Sequence, residues 1–246
     1  MIRQSVKDVY FSLSRFLSLP NSWFARLRYR LGKPARPEGH YLHLGCGFKY
    51  LEGMINVDGN VFRKSDLWHD LRNRLPFPDK SCAFVYCSHT IEHLFPYEAQ
   101  AVLKEIRRVL KDDGIARIAV PSMEHALLVA RGETEENWPR AFEDDPLGQA
   151  INYLFCDGQH KYAFSYGVLK SFALEAGFAH VRDYSAYHGV GPRRYGQVTV
   201  GDEPFGSLVV ELHPCAFPLE EGSDLGWSET GSAPSKAEFK SAAIAR

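Results

Sequence analysis

The most constraining feature of this chain is its alternation between short apolar runs and amphipathic segments. The first run, His40–Leu44, leads directly into the turn Gly45-Cys46-Gly47. Residues 82–87 are almost entirely apolar, as a strand buried on both faces of a sheet requires. Apolar residues recur at helical spacing over 97–110 and again over 167–176. Strands that alternate with helices predict an α/β domain whose mostly parallel sheet is covered on both faces.

The same patterning divides the chain into three parts, namely a basic segment (1–36), the α/β domain (37–217) and a disordered tail (218–246). Within the domain, residues 123–160 are acid-rich and are predicted to be irregular. Further strands are predicted at 54–57, 66–70, 115–120, 178–184 and 208–212. Because 189–206 contains no helical pattern, the last two strands are expected to form an antiparallel closing pair.

Composition excludes several classes of protein. The 246 residues are 45% hydrophobic and 24% charged, which is sufficient for a sizeable core, and the formal charge of -1 gives no overall basic field for nucleic acid. The apolar runs are shorter than the roughly 18–20 residues that span a bilayer. Arg15 interrupts the only apolar stretch that could resemble a secretory signal. Five cysteines fit no disulfide or metal framework and indicate reduced thiols, so a cytoplasmic location is expected.

Charge is concentrated at the N-terminus. Residues 1–36 contain eight Lys or Arg residues against the single acidic Asp8, a local net charge of +7. Apolar residues recur there at helical spacing in two groups, which predicts a pair of short helices. Two interpretations stay open: the helices cap the core with their basic face in water, or they form an amphipathic surface for peripheral contact with anionic lipid or an acidic substrate.

The carboxyl ends of the first two strands carry the residues that suggest a ligand. Two glycines in Gly45-Cys46-Gly47 let backbone approach a ligand closely, and Asp58 at the next strand end can accept both hydroxyls of a ribose. A dinucleotide fingerprint needs a third glycine where this chain has Tyr50, and no phosphate-binding loop is present in the sequence. The pattern therefore favours a nucleoside without phosphate.

With these motifs in order, the chain resembles the class I methyltransferases that depend on S-adenosylmethionine. The resemblance covers roughly residues 40–185 and is closest to type 11-like enzymes, predicted methyltransferases associated with polysaccharide and glycolipid assembly. The motifs that carry it are the segments 40–47, 53–58, 70–79, 84–94, 107–114 and 174–178. It implies a Rossmann-like three-layer sandwich with a mostly parallel, seven-stranded sheet and an antiparallel closing strand.

The resemblance also implies a cofactor site for S-adenosylmethionine. The residues it assigns to that site are Gly45, Cys46, Gly47, Asp58, Asp70, Leu71, Ser88 and His89. The glycine turn would pass under the methionine part, Asp58 would accept the ribose hydroxyls and Asp70 would accept from the adenine amino group. Ser88 and His89 would border the sulfonium and the entering acceptor, and residues 123–160 would form a lid over that acceptor.

Two positions depart from the family pattern. His43 stands where the family usually has an acidic residue, which puts a contact from that side chain to the cofactor in doubt. Asp58 follows Gly47 by only eleven positions, too few for a full helix and a strand. We therefore expect a shortened first helix whose place is covered by the aromatic N-terminal segment.

Methyl transfer to a hydroxyl is assisted by a general base, and histidine has a suitable unperturbed pKa near 6.5. The candidate catalytic residues are His89, His93 and His160, and transfer without a protein base is the alternative. The spacing of His89, Glu92 and His93 is compatible with a divalent metal, but no fourth ligand is evident in the sequence, so no metal is predicted.

The sequence thus predicts a methyltransferase that modifies oxygen in a small-molecule or glycan-type acceptor, without a nucleic-acid partner. Two alternatives remain at this stage. One is a non-catalytic scaffold that binds S-adenosylmethionine, for which His43 is the warning sign. The other is a nicotinamide-dependent oxidoreductase, which Tyr50 disfavours.

Overall fold

A computed structural model describes residues 4–33, 36–133, 145–183 and 206–215. Two helices, α1 (Gln4–Leu17) and α2 (Leu19–Leu31), precede an α/β domain. The strands are β1 (His40–Leu44), β2 (Ile55–Asp58), β3 (Leu67–Trp68), β4 (Cys82–Ser88), β5 (Leu110–Pro121), β6 (His180–Asp183) and β7 (Ser207–His213). The domain helices are α3 (Pro96–Val109), α4 (Met123–Ala130), α5 (Pro146–Phe155) and α6 (Tyr166–Glu175), with single 3₁₀ turns at Ile91–His93 and Cys156–Gly158.

The seven strands form one sheet in the order β3-β2-β1-β4-β5-β7-β6. The first five strands pair in parallel, whereas β7 is antiparallel to both β5 and β6. This arrangement confirms the predicted Rossmann-like sheet with an antiparallel closing pair. Because β1 lies between β2 and β4, the chain reverses direction across the sheet at β1, and the carboxyl ends of these three strands meet at one edge.

The main core lies on one face of the sheet, where α2, α3 and α6 pack. Helix α3 buries five side chains at helical spacing, namely Ala99, Val102, Leu103, Ile106 and Val109. Helix α2 contributes Ala25 to the same core, and the Tyr29 ring lies 4.5 Å from the ring of Phe77. The predicted pair of N-terminal helices is confirmed, and α2 covers part of the domain core.

The predicted irregular segment 123–160 is wrong in the part that the structure describes. Helices α4 and α5 occupy most of it, and each begins at a polar cap. Ser122 accepts a hydrogen bond from the backbone of His125, and the carboxylate of Asp145 accepts one from Gly148. An acidic residue that reads as loop in the sequence thus begins a helix, since its side chain satisfies a free N–H of the first turn. Residues 134–144, 184–205 and the tail 218–246 lie outside the described residues.

The start of β5 and the segment 45–54 also differ from the prediction. Strand β5 begins at Leu110, five residues before the predicted strand 115–120, and the register shifts opposite Cys82 and Phe84. Gly114 permits this continuation, because a Cβ there would lie 3.1 Å from the carbonyl oxygens of Cys82 and Ala83. Residues 45–54 form turns and bends without a helix, so the expected short first helix is absent from this segment.

Candidate functional site

The ends of β1 and β2 are joined by hydrogen bonds at the predicted cofactor site. The carboxylate of Asp58 accepts from the backbone N–H of Gly47 at 2.7 Å and from that of Asn60 at 2.7 Å, one on each oxygen. Both Gly45 and Cys46 donate their backbone N–H to the carbonyl of Val57. A carboxylate oxygen can accept more than one hydrogen bond, so Asp58 retains acceptor capacity for ligand hydroxyls.

The two glycines of this turn have different requirements. Both have a left-handed backbone, with φ of 66° at Gly45 and 53° at Gly47. A Cβ at Gly45 would lie 2.2 Å from the hydroxyl of Thr90, so the fold itself requires glycine there. A Cβ at Gly47 would meet nothing within 4 Å. The open space beside Gly47 is therefore available to a ligand held by Asp58.

Cys46 faces the core and contributes only backbone to this turn. Its thiol is buried and lies 3.7 Å from the carbonyl oxygen of Lys64. Burial, with the nearby carboxylate of Asp58, raises the pKa of Cys46 to about 12. The thiol is consequently neutral and unreactive at physiological pH.

Asp70 and Leu71, the predicted adenine contacts, lie at the end of β3. Both oxygens of the Asp70 carboxylate accept from Arg72, at 2.9 Å from Nε and 2.6 Å from Nη2. Asp70 and Leu71 are both buried. Arg72 holds the Asp70 carboxylate in this conformation. To accept a hydrogen bond from an adenine amino group, Asp70 would have to keep Arg72 as a second donor or release it.

Helix α1 contacts the loops that follow β2 and β3. We expected the aromatic N-terminal segment to cover the place of a shortened first helix, but the sequence assigned none of its residues to the cofactor site. The hydroxyl of Ser14 donates to the carbonyl of Gly59 at 2.7 Å, and the hydroxyl of Tyr10 donates to the side chain of Asn60 at 3.2 Å. Arg72 also donates to the carbonyl of Phe11. The sequence shows the aromatic pair Tyr10-Phe11 in α1, but it does not show which surface these side chains contact.

The side chain of His43 pairs with a side chain of β2. Its side chain is buried in the sheet, where Nδ1 donates to the side-chain oxygen of Asn56 at 3.1 Å. Burial lowers the pKa of His43 to about 4, so the imidazole is neutral. The departure from the family pattern at this position has a structural explanation, since His43 and Asn56 together tie β1 to β2.

Ser88 and His89 lie at the end of β4. The backbone of His89 is left-handed, with φ of 46°, and its N–H donates to the carbonyl of Ala119. The imidazole spans two neighbours: Nε2 is 2.8 Å from the hydroxyl of Ser207, and Nδ1 is 3.4 Å from the carboxylate of Glu92. A non-glycine residue in this conformation is strained, and such strain is often found at functional sites.

His93 and His160 lie together beside Glu92. Their rings are 4.7 Å apart, and Nε2 of His160 lies 4.0 Å from the Glu92 carboxylate. Burial lowers the pKa of His160, and the nearby Glu92 opposes that change. All three histidines that the sequence singled out are therefore brought to one acidic side chain, although His160 is 67 positions after His93 in the chain.

Comparison with known families assigns the central part of this sheet. Residues 42–118, from Leu42 in β1 to Ile118 in β5, match the family model described as a methyltransferase domain. The matched segment includes the Asp58 and Gly47 contacts and the end of β4. No curated protein sequence matches the chain.

Solved structures that resemble this chain are distant in sequence. One is a chain in the complex of the Haloferax volcanii Trm112 methyltransferase activator with a methyltransferase, at 16% identity and a TM-score of 0.47, covering 85% of this chain and 95% of the other. A SAM-dependent methyltransferase from Archaeoglobus fulgidus has 16% identity and a TM-score of 0.46, with 78% and 93% covered. A SAM-dependent methyltransferase from Thermotoga maritima has 18% identity and a TM-score of 0.40, with 86% and 95% covered.

Proposed function

We propose that this protein transfers the methyl group of S-adenosylmethionine to a hydroxyl oxygen of a small-molecule or glycan-type acceptor. The single observation that carries the cofactor assignment is the pairing of Asp58 with the backbone of Gly47 beside open space. Asp58 would hold the ribose hydroxyls, and the turn Gly45-Cys46-Gly47 would lie against the methionine part. Helix α1, through its contacts with the loop after β2, would cover the nucleoside.

When bound, S-adenosylmethionine supplies an electrophilic methyl group, so the protein mainly has to position the acceptor and exclude water. His89 is the residue best arranged to accept the hydroxyl proton. If Nδ1–H faces the Glu92 carboxylate, 3.4 Å away, Nε2 carries the lone pair and can take a proton. Ser207, 2.8 Å from Nε2, lies where an acceptor hydroxyl or a bridging group would approach. Ser88 lies at the same strand end.

Methyl transfer can be tested with S-adenosylmethionine labelled in its methyl group and a panel of hydroxylated small molecules and oligosaccharides. Label should enter an acceptor with the wild-type protein, and His89→Gln should lower turnover about 100-fold, the usual contribution of a positioned base. Binding of S-adenosylmethionine without transfer to any acceptor would favour the non-catalytic scaffold. Binding of NAD with no binding of S-adenosylmethionine would favour the oxidoreductase and overturn this proposal.

We also propose that α1 and α2 contact an anionic membrane surface. Large apolar side chains point to solvent from both helices, including Phe16, Phe24 and Leu31, which are 68%, 64% and 76% exposed. Residues 1–36 carry a net charge of +7, which complements an anionic lipid surface. Among the described helices, none has the length and apolar character needed to cross a bilayer, so the proposal is for contact with the surface.

A further inference from the structure

Glu92 is a buried acidic residue that lacks the partners such a group normally has. It is 1% exposed, and neither oxygen of its carboxylate has a hydrogen-bond partner among the described residues. Burying a carboxylate costs several kcal/mol unless a charge or a set of donors compensates, by order-of-magnitude estimates. Imidazole nitrogens of His89 and His160 lie 3.4 Å and 4.0 Å from its carboxylate. The position therefore needs a positive partner.

The hydrogen bonds of His93 and His160 determine which ring nitrogen is free. Nδ1 of His160 is 2.8 Å from the carbonyl oxygen of Leu154, and Nδ1 of His93 is 3.2 Å from that of Gln159. A carbonyl only accepts, so each Nδ1 must carry the proton, and each neutral ring then has its lone pair on Nε2. Histidines that bind metals commonly donate their other ring N–H to a backbone carbonyl in this way.

We propose that Glu92, His93 and His160 form a binding site for a divalent transition-metal ion. One ligand atom from each of the three residues lies within 4.8 Å of the others. Metal–ligand bonds of about 2.0–2.2 Å place tetrahedral ligands about 3.3–3.5 Å apart, so binding needs inward side-chain movements of about an ångström. His93 is exposed and His160 is partly exposed, so an ion can enter from solvent. Glu92 is buried and supplies the negative charge.

The ligand types select the class of ion. Two imidazole nitrogens and one carboxylate favour Zn²⁺ and neighbouring first-row ions over Mg²⁺, which prefers oxygen ligands. Three protein ligands also leave a coordination position open for water or an acceptor oxygen. No metal was predicted from residues 89–93, where a fourth ligand is not evident, because His160 reaches Glu92 only through the fold.

This site adjoins the end of β4, since Glu92 contacts both His160 and the predicted base His89. An ion there could bind the acceptor oxygen and lower the pKa of its hydroxyl, a role that rests on the proposed function. The site itself does not depend on that role. Zinc binding by a protein that fails to bind S-adenosylmethionine would overturn the proposed function and leave the metal site standing.

The site can be tested by titrating the chelator-treated, full-length protein with ZnCl₂ in a calorimeter. One equivalent should bind, and both Glu92→Gln and His160→Gln should weaken binding at least tenfold. His180→Gln, which alters an exposed histidine on β6, serves as the matched control and should bind as the wild type does. Circular dichroism checks that each variant is folded, and Glu92→Gln keeps the size of the side chain if His160→Gln does not fold.

Cobalt provides an independent readout, because Co²⁺ bound through thiolates shows a charge-transfer band that nitrogen and oxygen ligands lack. We expect a d–d spectrum without that band, and no saturable heat with MgCl₂ at the same concentrations. Unchanged zinc affinity in folded Glu92→Gln, absence of saturable zinc binding, or a thiolate band from cobalt would each overturn the proposal.

Discussion

The backbone N–H of Gly47, after β1, donates to the carboxylate of Asp58, the last residue of β2, at 2.7 Å. This bond fixes the glycine turn against the neighbouring strand end. It also orients the Asp58 carboxylate, which has acceptor capacity for a ribose. A Cβ at Gly47 would meet nothing within 4 Å. The Asp58 carboxylate and the open space for a nucleoside therefore lie side by side at this turn.

Replacing Gly47 separates ligand binding from folding. In Gly47→Ala the new Cβ enters the open space, so the affinity for S-adenosylhomocysteine should fall at least tenfold. The left-handed φ should cost only about 1 kcal/mol of stability. Gly132→Ala is the matched control, since Gly132 has a φ of 65° and nothing within 4 Å but lies after α4. Calorimetry and urea unfolding of both variants test this, and equal loss of ligand affinity in the two would contradict it.

Stability should fall in mildly acidic solution because three buried histidines stay neutral in the folded protein. Burial lowers the pKa of His43, of His69 and of His213 to about 4, from an ordinary value of 6.5. Below pH 6.5 the unfolded chain takes up protons that the folded chain does not. The free energy of unfolding should therefore be greatest above pH 6.5 and fall by about 1.4 kcal/mol per pH unit for each histidine until pH 4.

Urea unfolding at several pH values between 7.5 and 4.5 measures this slope. His43→Gln and His69→Gln should each reduce the slope by about one proton, whereas substitution of the exposed His180 by Gln should leave it unchanged. A slope that is the same in all three variants would show that other groups cause the acid sensitivity.

A buried ion pair joins β5 to β7, and its effect on the free energy of unfolding can be measured. Arg117 on β5 lies opposite Glu211 on β7, with Nη2 and Oε1 2.6 Å apart and both side chains buried. Arg117→Met should lower the free energy of unfolding by about 3–5 kcal/mol because it leaves the Glu211 carboxylate without its charged partner. The double variant Arg117→Met, Glu211→Met should regain most of that loss in urea unfolding. Additive losses would contradict the pairing.

Membrane contact through α1 and α2 can be measured by co-sedimentation with phosphatidylglycerol vesicles. The wild type should sediment with these vesicles and not with phosphatidylcholine, because charge and apolar burial act together. The variant Phe16→Ser, Phe24→Ser, Leu31→Ser should bind at least tenfold more weakly. Phe155→Ser, at a 60% exposed aromatic residue on α5, is the control. Equal sedimentation of the triple variant and the wild type would refute membrane contact through this face.

The parts of the fold that follow from local pattern were predictable from the sequence. His40–Leu44 followed by two glycines indicates a strand and a tight turn, and the five buried positions of α3 follow helical spacing. These features depend on neighbours a few residues away. Helices α4 and α5 were missed because Ser122 and Asp145 act as caps, a role that the acidic composition of the segment conceals.

Contacts that form only in the assembled fold account for the rest. Nothing near Asp70 in the pattern indicates that Arg72 occupies both of its carboxylate oxygens, since the same two residues could lie in an exposed turn. The approach of His160 to Glu92 depends on how the segment after α5 returns to the end of β4, where Lys161 donates its backbone N–H to the Glu92 carbonyl. Such juxtapositions require the assembled fold.

Calorimetric titration of the wild type and of Asp58→Ala with S-adenosylhomocysteine and with NAD tests whether Asp58 holds the cofactor. The wild type should bind one equivalent of S-adenosylhomocysteine and no NAD, and Asp58→Ala should bind at least tenfold more weakly. Asp79→Ala, which removes an exposed carboxylate before β4 at the opposite edge of the sheet, should bind as the wild type does. Undiminished affinity in Asp58→Ala, or binding of NAD alone, would contradict the assignment of this edge to S-adenosylmethionine.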